Sequence, residues 1–179
     1  IAMTGMRRGE AIGLRWSDVD FENARLSVRR ALIPISREVV VSEPKTVKGR
    51  RVIAIDPGTE EVLKAQAARQ LDEQKEWDEA WVETGLVFTL ENGEALDPES
   101  VSRYWRQAVK MSMLPPIRLH DLRHTHATLA LQAGIHPKVV SERLGHATVS
   151  ITLDTYSHAI PAMQEEAAAL IAGLVFAGE

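Results

Sequence analysis

Prolines and glycines divide the second half of the chain into short helices, and this division constrains the fold more than any other sequence feature. Proline is common at the first position of a helix, and glycine is common just after the last. Pro98 follows Asp97, whose side chain is typical of a helix N-cap, and Pro137 begins a second helical pattern. Gly134 and Gly145 follow apolar runs and are predicted to end helices. We therefore predict a series of separate helices from residue 98 onward.

The beginning of the chain combines a short helix with strand patterns. Residues 9–15 are predicted to form the helix. Three segments rich in β-branched residues, 24–33, 37–43 and 50–55, are predicted to form one small antiparallel sheet. The basic segment "PKTVKGRR", residues 44–51, lies between the last two strands and is interpreted as a hairpin.

A longer amphipathic helix is predicted from residue 57 to about residue 80, and a tight hairpin is predicted around Asn92 and Gly93. Apolar side chains at spacings of three and four should mark the inward face of that helix. They are Val62, Leu63, Ala67 and Leu71. The predicted fold is therefore mainly α with a small antiparallel β-sheet near the N-terminus, an α+β class.

Composition excludes several classes of protein. The chain has 179 residues and no cysteine, so disulfides and thiolate metal sites are excluded. Its apolar runs are shorter than the roughly 20 residues that span a bilayer, so no membrane partner is expected. The lack of cysteine is compatible with the reducing cytoplasm, where we expect the protein to act.

The net charge of −4, taken alone, argues against a nucleic-acid partner, but the charges are unevenly distributed. Residues 1–58 carry 11 Lys and Arg against 7 Asp and Glu, whereas residues 59–100 carry 3 against 12. Residues 101–160 are basic again, with 7 against 3. If the two basic segments meet, the fold has a basic face and an acidic back.

The segment "IRLHDLRHTHATLALQAGI", residues 117–135, concentrates histidine and arginine on one predicted helix. At about 100° per residue, His120, Arg123 and His124 share one face, and His126 lies on the opposite, apolar face as a packed histidine. That apolar face should also carry Leu119, Leu122, Leu129 and Ala133. His120 and His124 have the spacing of helical zinc ligands, yet the permanent cation of Arg123 disfavours a metal. The face is better suited to an anion such as phosphate.

Other basic and phenolic groups stand in three further motifs. "TGMRRGE" contains Arg7, Arg8 and a nearby acid, and "PKTVKGRR" adds lysines at the predicted hairpin. "LGHATVSITLDTYSH" contains His146 and, ten residues later, Tyr156. In this order and spacing, the motifs resemble the catalytic domain of the tyrosine recombinases, the phage-integrase family, over nearly the whole chain from Thr4 to about Ala159.

The resemblance implies a catalytic set of two arginines, two histidines, a lysine and a nucleophilic tyrosine. These residues are Arg7, Lys45, His120, Arg123, His146 and Tyr156. Lys45 is favoured over Lys48 as the catalytic lysine, although both stand in the same segment. Glu10 is expected to brace Arg7, and His124 is a supporting residue. Arg8, Lys48 and Arg50 are expected to bind DNA.

The implied activity is site-specific recombination of DNA. In this family a tyrosine attacks a phosphodiester, forms a 3′-phosphotyrosyl link, releases a 5′-hydroxyl and then rejoins the strand to another. A phenol is only about a thousandth ionised at pH 7, so clustered cations must favour both the phenolate and the transition state. No metal and no nucleotide cofactor are expected. The "TLDTYSH" ending favours integration or excision of a phage or mobile element.

The resemblance also implies an organisation. Residues 1–160 would form the catalytic domain of a longer protein, because the chain opens in mid-pattern and the family's preceding core-binding domain is missing. Residues 161–179 would form a C-terminal helical segment that packs on a neighbouring subunit or on its own domain. The expected partners are double-stranded recombination sites and accessory DNA-bending proteins, with a homotetramer on DNA or a monomer for the isolated segment.

Two alternatives stay open. Residues 134–158 also fit a helix-turn-helix DNA-binding regulator without catalysis, with two short helices around a glycine. Its second helix, "ATVSITLDTY", lacks the Arg, Lys, Asn and Gln side chains that read base edges, and it carries an aspartate. The other alternative is a folded but inactive integrase. The presence of every expected catalytic residue type argues against it.

Overall fold

The structure is a computed structural model that describes residues 1–36, 38–43, 49–157 and 162–176, with side chains from residue 167 in the last range. These residues contain seven α-helices and five strands. The helices are α1 (Arg8–Ile12), α2 (Pro57–Trp77), α3 (Pro98–Met111), α4 (Asp121–Gln132), α5 (Pro137–Leu144), α6 (Val149–Tyr156) and α7 (Ala162–Phe176). The strands are β1 (Val19–Asp20), β2 (Arg25–Val28), β3 (Ala31–Ile35), β4 (Glu38–Ser42) and β5 (Arg51–Ala54). The predicted mainly helical α+β class is confirmed.

The strands form two antiparallel sheets, whereas the sequence analysis predicted one. One sheet has the order β1-β2-β5 and the other pairs β3 with β4. The segment predicted as a single strand breaks at Arg29 and Arg30, both of which reach back to the buried carboxylate of Asp18. Strands β4 and β5 belong to different sheets and do not pair with each other. Most of the predicted hairpin between them, residues 44–48, lies outside the described residues.

The buried face of helix α2 carries more glutamines than apolar residues. Leu63 is buried as predicted, but Val62 and Leu71 are 64% and 57% exposed. The buried positions are taken by Gln66, which donates to Val87 O, and by Gln70, which donates to Leu86 O. These amides satisfy the backbone carbonyls of Leu86 and Val87, which lie outside strands β1 to β5, and this explains why polar side chains lie inside.

The predicted caps and turns are mostly confirmed. Asp97 accepts a hydrogen bond from Ser100 N at the start of α3, and Gly145 ends α5 in the left-handed conformation. The hairpin at Asn92 and Gly93 is present, closed by a bridge between Thr89 and Ala95. The first helix ends at Ile12, three residues earlier than predicted.

Helix α4 is oriented opposite to the predicted way. Its buried residues are Arg123, Ala127 and Leu131, while Leu129 on the predicted inner face is 59% exposed. His126 is half-buried, and its Nε2 accepts from Arg143 Nε. The arginine face therefore points into the protein, so the anion site predicted for it lies in a cavity and not on an open surface.

Three apolar clusters hold these elements together. The largest lies under the first sheet and includes Leu26, Val28 and Ile53, and a second joins α4, α5 and α6. Tyr156 belongs to this second cluster. Within the described residues, no helix is long and apolar enough to cross a membrane.

Candidate active site

A concave cavity of about 570 Å³ lies where α1, α4, α5 and α6 converge. Most of the polar groups singled out in the sequence line it. The predicted residues found together there are Arg7, Glu10, His120, Arg123, His124, His146 and Tyr156. Four elements distant in sequence thus bring two guanidiniums, three imidazoles and a phenol to one site.

Arg7 is held at the start of α1 by the acid that follows it. Arg7 N donates to Glu10 Oε2 at 2.7 Å, and Arg7 Nη1 donates to Glu10 Oε1 at 2.8 Å. The first contact is a local cap of the helix N-terminus, and it fixes the carboxylate close to the guanidinium. The predicted contact between Glu10 and Arg7 is present, and the side chain of Arg7 stays 45% exposed toward the cavity.

Arg51 completes this cluster and was missed in the sequence. Its Nη1 and Nη2 donate to Glu10 Oε1 and Oε2 at 3.0 and 2.8 Å, and its Nε donates to Arg143 O at 2.7 Å. Burial opposes ionisation of Glu10, but the hydrogen bonds and charge of Arg51 outweigh it and lower the pKa of that carboxyl. Glu10 is therefore a carboxylate shared by two arginines at neutral pH.

Arg123 is the most deeply buried cation of the cavity, with 3% of its surface exposed. Its Nη1 donates to Gly5 O at 2.5 Å and its Nη2 to Leu144 O at 2.8 Å. Burial, and next the charge of Arg7, lower the pKa of Arg123 to about 10, so it remains protonated at pH 7. Two fixed carbonyls thus orient the guanidinium and leave its other N–H donors for a ligand.

The approach of Gly5 to helix α5 explains the glycine in "TGMRR". Gly5 has a φ of +66°, and a Cβ there would lie 2.7 Å from Leu144 Cδ2 and 2.9 Å from His126 Cδ2. A larger residue would need a strained backbone and would press on the side chains of Leu144 and His126, beside the carbonyl of Gly5 that binds Arg123.

His146 follows the left-handed turn at Gly145 and faces the cations. Its Nδ1 lies 2.8 Å from Oγ1 of Thr152, which is fully buried on α6. Burial, followed by the charges of Arg123 and Arg7, lowers the pKa of His146 to about 4. The imidazole is therefore neutral at pH 7, and it can offer one N–H donor but not a positive charge.

Tyr156 ends α6 with its hydroxyl against α4. The residue is 2% exposed, and its Oη lies 2.9 Å from Nδ1 of His124. Burial raises the pKa of the phenol, although the charge of Arg123 works in the opposite direction. The phenol therefore keeps its proton at neutral pH unless a ligand or a base takes part.

His120 stands at the mouth of the cavity, at the N-cap of α4. Its ring packs edge-on against His124, with 4.9 Å between the ring centroids. Burial, then the neighbouring His124 and Arg123, lower the pKa of His120. His120 is accordingly a neutral hydrogen-bonding group near pH 7.

Two of the residues predicted to bind DNA, Arg8 and Arg50, lie outside this cavity. Arg8 donates to Ser102 Oγ and lines a neighbouring hollow that also contains Arg106 and Arg118. Arg50 is paired with Glu43 on the exposed side of the strands. Lys45 and Lys48 lie outside the described residues. No group of three or more His, Asp or Glu side chains suited to a metal ion occurs in the part of the chain that the structure describes.

The cavity places a phenol beside an imidazole and close to two guanidiniums, a set of groups suited to a phosphate. Sequence comparison identifies the family. The sequence model of the phage integrase family matches residues 1–163. The chain therefore belongs to the phage integrase family of tyrosine recombinases.

Relatives among characterised proteins agree with this assignment. A XerC-like tyrosine recombinase of Caldanaerobacter subterraneus subsp. tengcongensis is 32% identical over 176 residues, which cover 92% of this chain and 45% of the relative. The ICEBs1 integrase of Bacillus subtilis is 31% identical over 166 residues, which cover 93% of this chain and 45% of the relative. The chain thus spans about half the length of these proteins.

Solved structures show the same fold. The Tn1549 transposon integrase in complex with transposon right end DNA matches 93% of this chain and 56% of its own, with a TM-score of 0.78 and 24% identity. The XerH site-specific recombinase bound to palindromic difH substrate matches 94% of this chain and 42% of its own, with a TM-score of 0.65 and 27% identity.

Proposed function

We propose that this protein cuts and rejoins double-stranded DNA at specific sites through a covalent bond to Tyr156. The observation that carries the proposal is the convergence of Arg7, Arg123 and the Tyr156 hydroxyl on one cavity. A phosphodiester placed there would meet two guanidiniums held by fixed partners and a phenol within the same walls. Such preorganised donors stabilise the charge that develops on phosphate oxygens in the transition state.

The reaction would begin with attack of Tyr156 Oη on the phosphorus atom. The bond between phosphorus and the 5′-oxygen breaks, and the 3′-phosphate stays on the tyrosine. Arg7 and Arg123 would bind the non-bridging oxygens, while neutral His120 and His146 would add hydrogen bonds. Attack by the 5′-hydroxyl of another strand would then release Tyr156 and rejoin the DNA.

The departing 5′-oxygen needs a proton, and the segment 44–48 is the proposed source. Lys45 is the favoured donor and Lys48 the alternative, since an amine of ordinary pKa about 10.4 is protonated at neutral pH. Arg8, Lys48 and Arg50 are proposed to contact the DNA backbone. The cavity supplies its own cations, so we propose a mechanism without a metal or a nucleotide cofactor.

The partners are proposed from the relatives. The Tn1549 integrase and XerH structures hold DNA, and we propose duplex recombination sites of a phage or mobile element as the substrate here. A homotetramer on the DNA and a cytoplasmic location complete the proposal. Residues 1–160 would act as the catalytic unit, and 161–179 as a segment that packs on a neighbouring subunit.

The helix-turn-helix reading is not favoured. In such a regulator the second helix would lie in the DNA groove, but α6 turns Thr152 and Tyr156 into the protein, where both are buried. These two side chains contact His146 and His124 across the cavity. Helix α6 therefore directs two side chains to the cavity, and its exposed face carries Asp154 and none of the Arg, Lys, Asn or Gln side chains that read base edges.

The test is formation of a covalent adduct. A duplex selected from random DNA by the protein is nicked beside the candidate site, so that a short fragment leaves and the adduct is trapped. Wild type should give a protein–DNA adduct on a denaturing gel in the presence of EDTA, and Tyr156→Phe should give none. Tyr104→Phe is the matched control, because Tyr104 is 54% exposed on α3 and is the other tyrosine of the chain.

The adduct assay also separates the alternatives. An adduct that still forms with Tyr156→Phe would contradict the assignment of Tyr156 as the nucleophile. Bound DNA without any adduct, for wild type as for the variant, would favour a regulator or an inactive integrase.

A further inference from the structure

The proton of the Tyr156 hydroxyl has a defined acceptor in the free protein. Among the described residues, the hydrogen-bond contact of Tyr156 Oη is to Nδ1 of His124, at 2.9 Å. The two rings are tilted by 54°, with centroids 5.7 Å apart. A buried hydroxyl needs an acceptor for its own proton, and Nδ1 of His124 lies within hydrogen-bond distance of Tyr156 Oη. When the phenol donates to Nδ1, the N–H of that ring is on Nε2.

The other basic groups of the cavity are engaged or weak. Both oxygens of Glu10 already accept hydrogen bonds from Arg7 and Arg51. Nδ1 of His146 is bonded to Thr152, and the cations around that ring make it a poor base. Among the described residues of the cavity, His124 is therefore the group that contacts the phenol and has a nitrogen that can take its proton.

We propose that His124 is the general base that removes the proton of Tyr156 during strand cleavage. This inference rests on the proposed function. As Oη forms its bond to phosphorus, its proton moves to Nδ1 of His124, and the bond from phosphorus to the 5′-oxygen breaks. That oxygen takes a proton from the proposed lysine of segment 44–48. In religation the attacking 5′-hydroxyl gives its proton back to that lysine, and His124 returns its proton to the phenol oxygen, so protons balance over the cycle.

The surroundings of His124 are compatible with a transient positive charge. The carboxylate of Asp121, on the same helix, interacts electrostatically with His124 and supplies a negative charge near the ring. His120 and His146 are held neutral by burial and by the arginines, so they do not oppose that charge. Arg7 and Arg123 in the cavity oppose it, and the phosphate that they bind would neutralise them.

The position of His124 on α4 also explains its reach. Arg123, one residue earlier, points to Gly5 and Leu144, while His124 turns toward α6 and meets Tyr156. One helix therefore presents a phosphate clamp and a base at adjacent positions. This arrangement couples binding of the phosphate to activation of the nucleophile.

The experiment compares two DNA substrates in single-turnover cleavage. The first is the ordinary nicked duplex, and the second carries sulfur in place of the bridging 5′-oxygen. A thiolate leaves without protonation, so the second substrate bypasses the lysine but not the base. His124→Gln keeps a hydrogen-bond acceptor for the phenol but cannot take its proton, and it should cleave both substrates about 100-fold more slowly than wild type.

A second variant and a matched control complete the design. His124→Ala should regain cleavage when imidazole is added, because the small base can occupy the vacated space. His136→Gln makes the same change at an exposed histidine outside the cavity and should cleave like wild type. Far-UV circular dichroism and Tm check that the variants are folded.

Each outcome decides the proposal. Slow cleavage of both substrates, with rescue by imidazole, supports His124 as the base. Cleavage by His124→Gln within about threefold of wild type overturns it, and so does recovery on the sulfur substrate, which would place His124 at the leaving group. Failure of folded, DNA-bound wild type to cleave either substrate would instead overturn the proposed function, and this inference with it.

Discussion

Glu10 and Arg51 lie 41 residues apart and form a two-pronged ion pair inside the protein, with distances of 3.0 and 2.8 Å between guanidinium nitrogens and carboxylate oxygens. Both side chains are 6% exposed. The same carboxylate binds Arg7, so the pair connects β5 and the end of α5 to the first helix and to the cavity. Arg51 thereby positions Arg7 without lining the cavity itself.

Replacing Arg51 should damage stability and the cavity together. Arg51→Met leaves the buried Glu10 with Arg7 as its one remaining ion-pair partner, and we expect a loss of about 3–5 kcal/mol in the free energy of unfolding. Urea denaturation followed by circular dichroism measures this loss. Arg50→Met is the matched control, since Arg50 is exposed and should change stability by less than about 0.5 kcal/mol. Equal effects of the two substitutions would contradict the role of Arg51.

Gly145 should be more sensitive to alanine than Gly134, although both have positive φ. A Cβ at Gly145 would lie 2.9 Å from Arg51 Nη1, whereas a Cβ at Gly134 meets nothing within 4 Å. Gly134→Ala should cost about 1 kcal/mol for the left-handed backbone, and Gly145→Ala should cost more because Arg51 must also move. Thermal unfolding measures both. A similar fall in Tm for the two variants would show that the side chain of Arg51 moves aside without a measurable cost in stability.

Much of the fold was predictable because its signals are local. Asp97 caps α3, Gly145 ends α5, and the Asn92–Gly93 turn forms its hairpin, since each depends on residues within a few positions. The division into two sheets was not predictable, because it depends on the distant contact of Arg29 and Arg30 with Asp18.

The main errors of the sequence analysis were the inward faces predicted for α2 and α4, and both errors have the same cause. Counting apolar residues placed Leu129 inside α4 and Leu71 inside α2, but both are exposed. Arg123 and Gln70 are buried instead, because carbonyl oxygens of Leu144 and Leu86 accept their hydrogen bonds. A hydrophobic pattern cannot reveal polar side chains that are buried in order to satisfy backbone groups elsewhere.

Five of the six predicted catalytic residues line one cavity, and the sixth, Lys45, lies outside the described residues. They could be named from the sequence because motif order carried information that helix periodicity did not. Arg7, His120, Arg123, His146 and Tyr156 were assigned from the family resemblance, and the structure places all five in its lining. Their catalytic roles stay predictions. Arg51 and Thr152 were missed because no local pattern connects either residue with its partner, Glu10 or His146.

The free energy of unfolding should decrease as the pH falls through the range between the unfolded and folded pKa values of His146. The pKa of His146 is about 4 in the folded state, against an ordinary value of 6.5. Because the unfolded chain then binds a proton that the folded protein rejects, stability should fall as the pH drops from about 6.5 to about 4. Unfolding free energies measured across that range should fall less steeply in His146→Gln. An unchanged slope would show that His146 is protonated in the folded state.

Thr152 should determine which nitrogen of His146 faces the DNA phosphate. Its hydroxyl lies 2.8 Å from Nδ1 and can donate there, which leaves the proton of the neutral ring on Nε2, ready to bind a phosphate oxygen. Thr152→Val has nearly the same shape but no hydroxyl, so the ring should lose its preference between the two tautomers. Thr152→Ser should retain it.

Nitrogen-15 NMR of the histidine ring distinguishes the tautomers directly, and cleavage of the nicked duplex gives the functional consequence. We expect a mixed tautomer and roughly tenfold slower cleavage for Thr152→Val, since about 1.4 kcal/mol corresponds to a factor of ten and one neutral hydrogen bond is of that order. Thr152→Ser should match wild type in both measurements. If Thr152→Val cleaves slowly while Nε2 keeps the proton, Thr152 acts through packing of α6 and not through the imidazole.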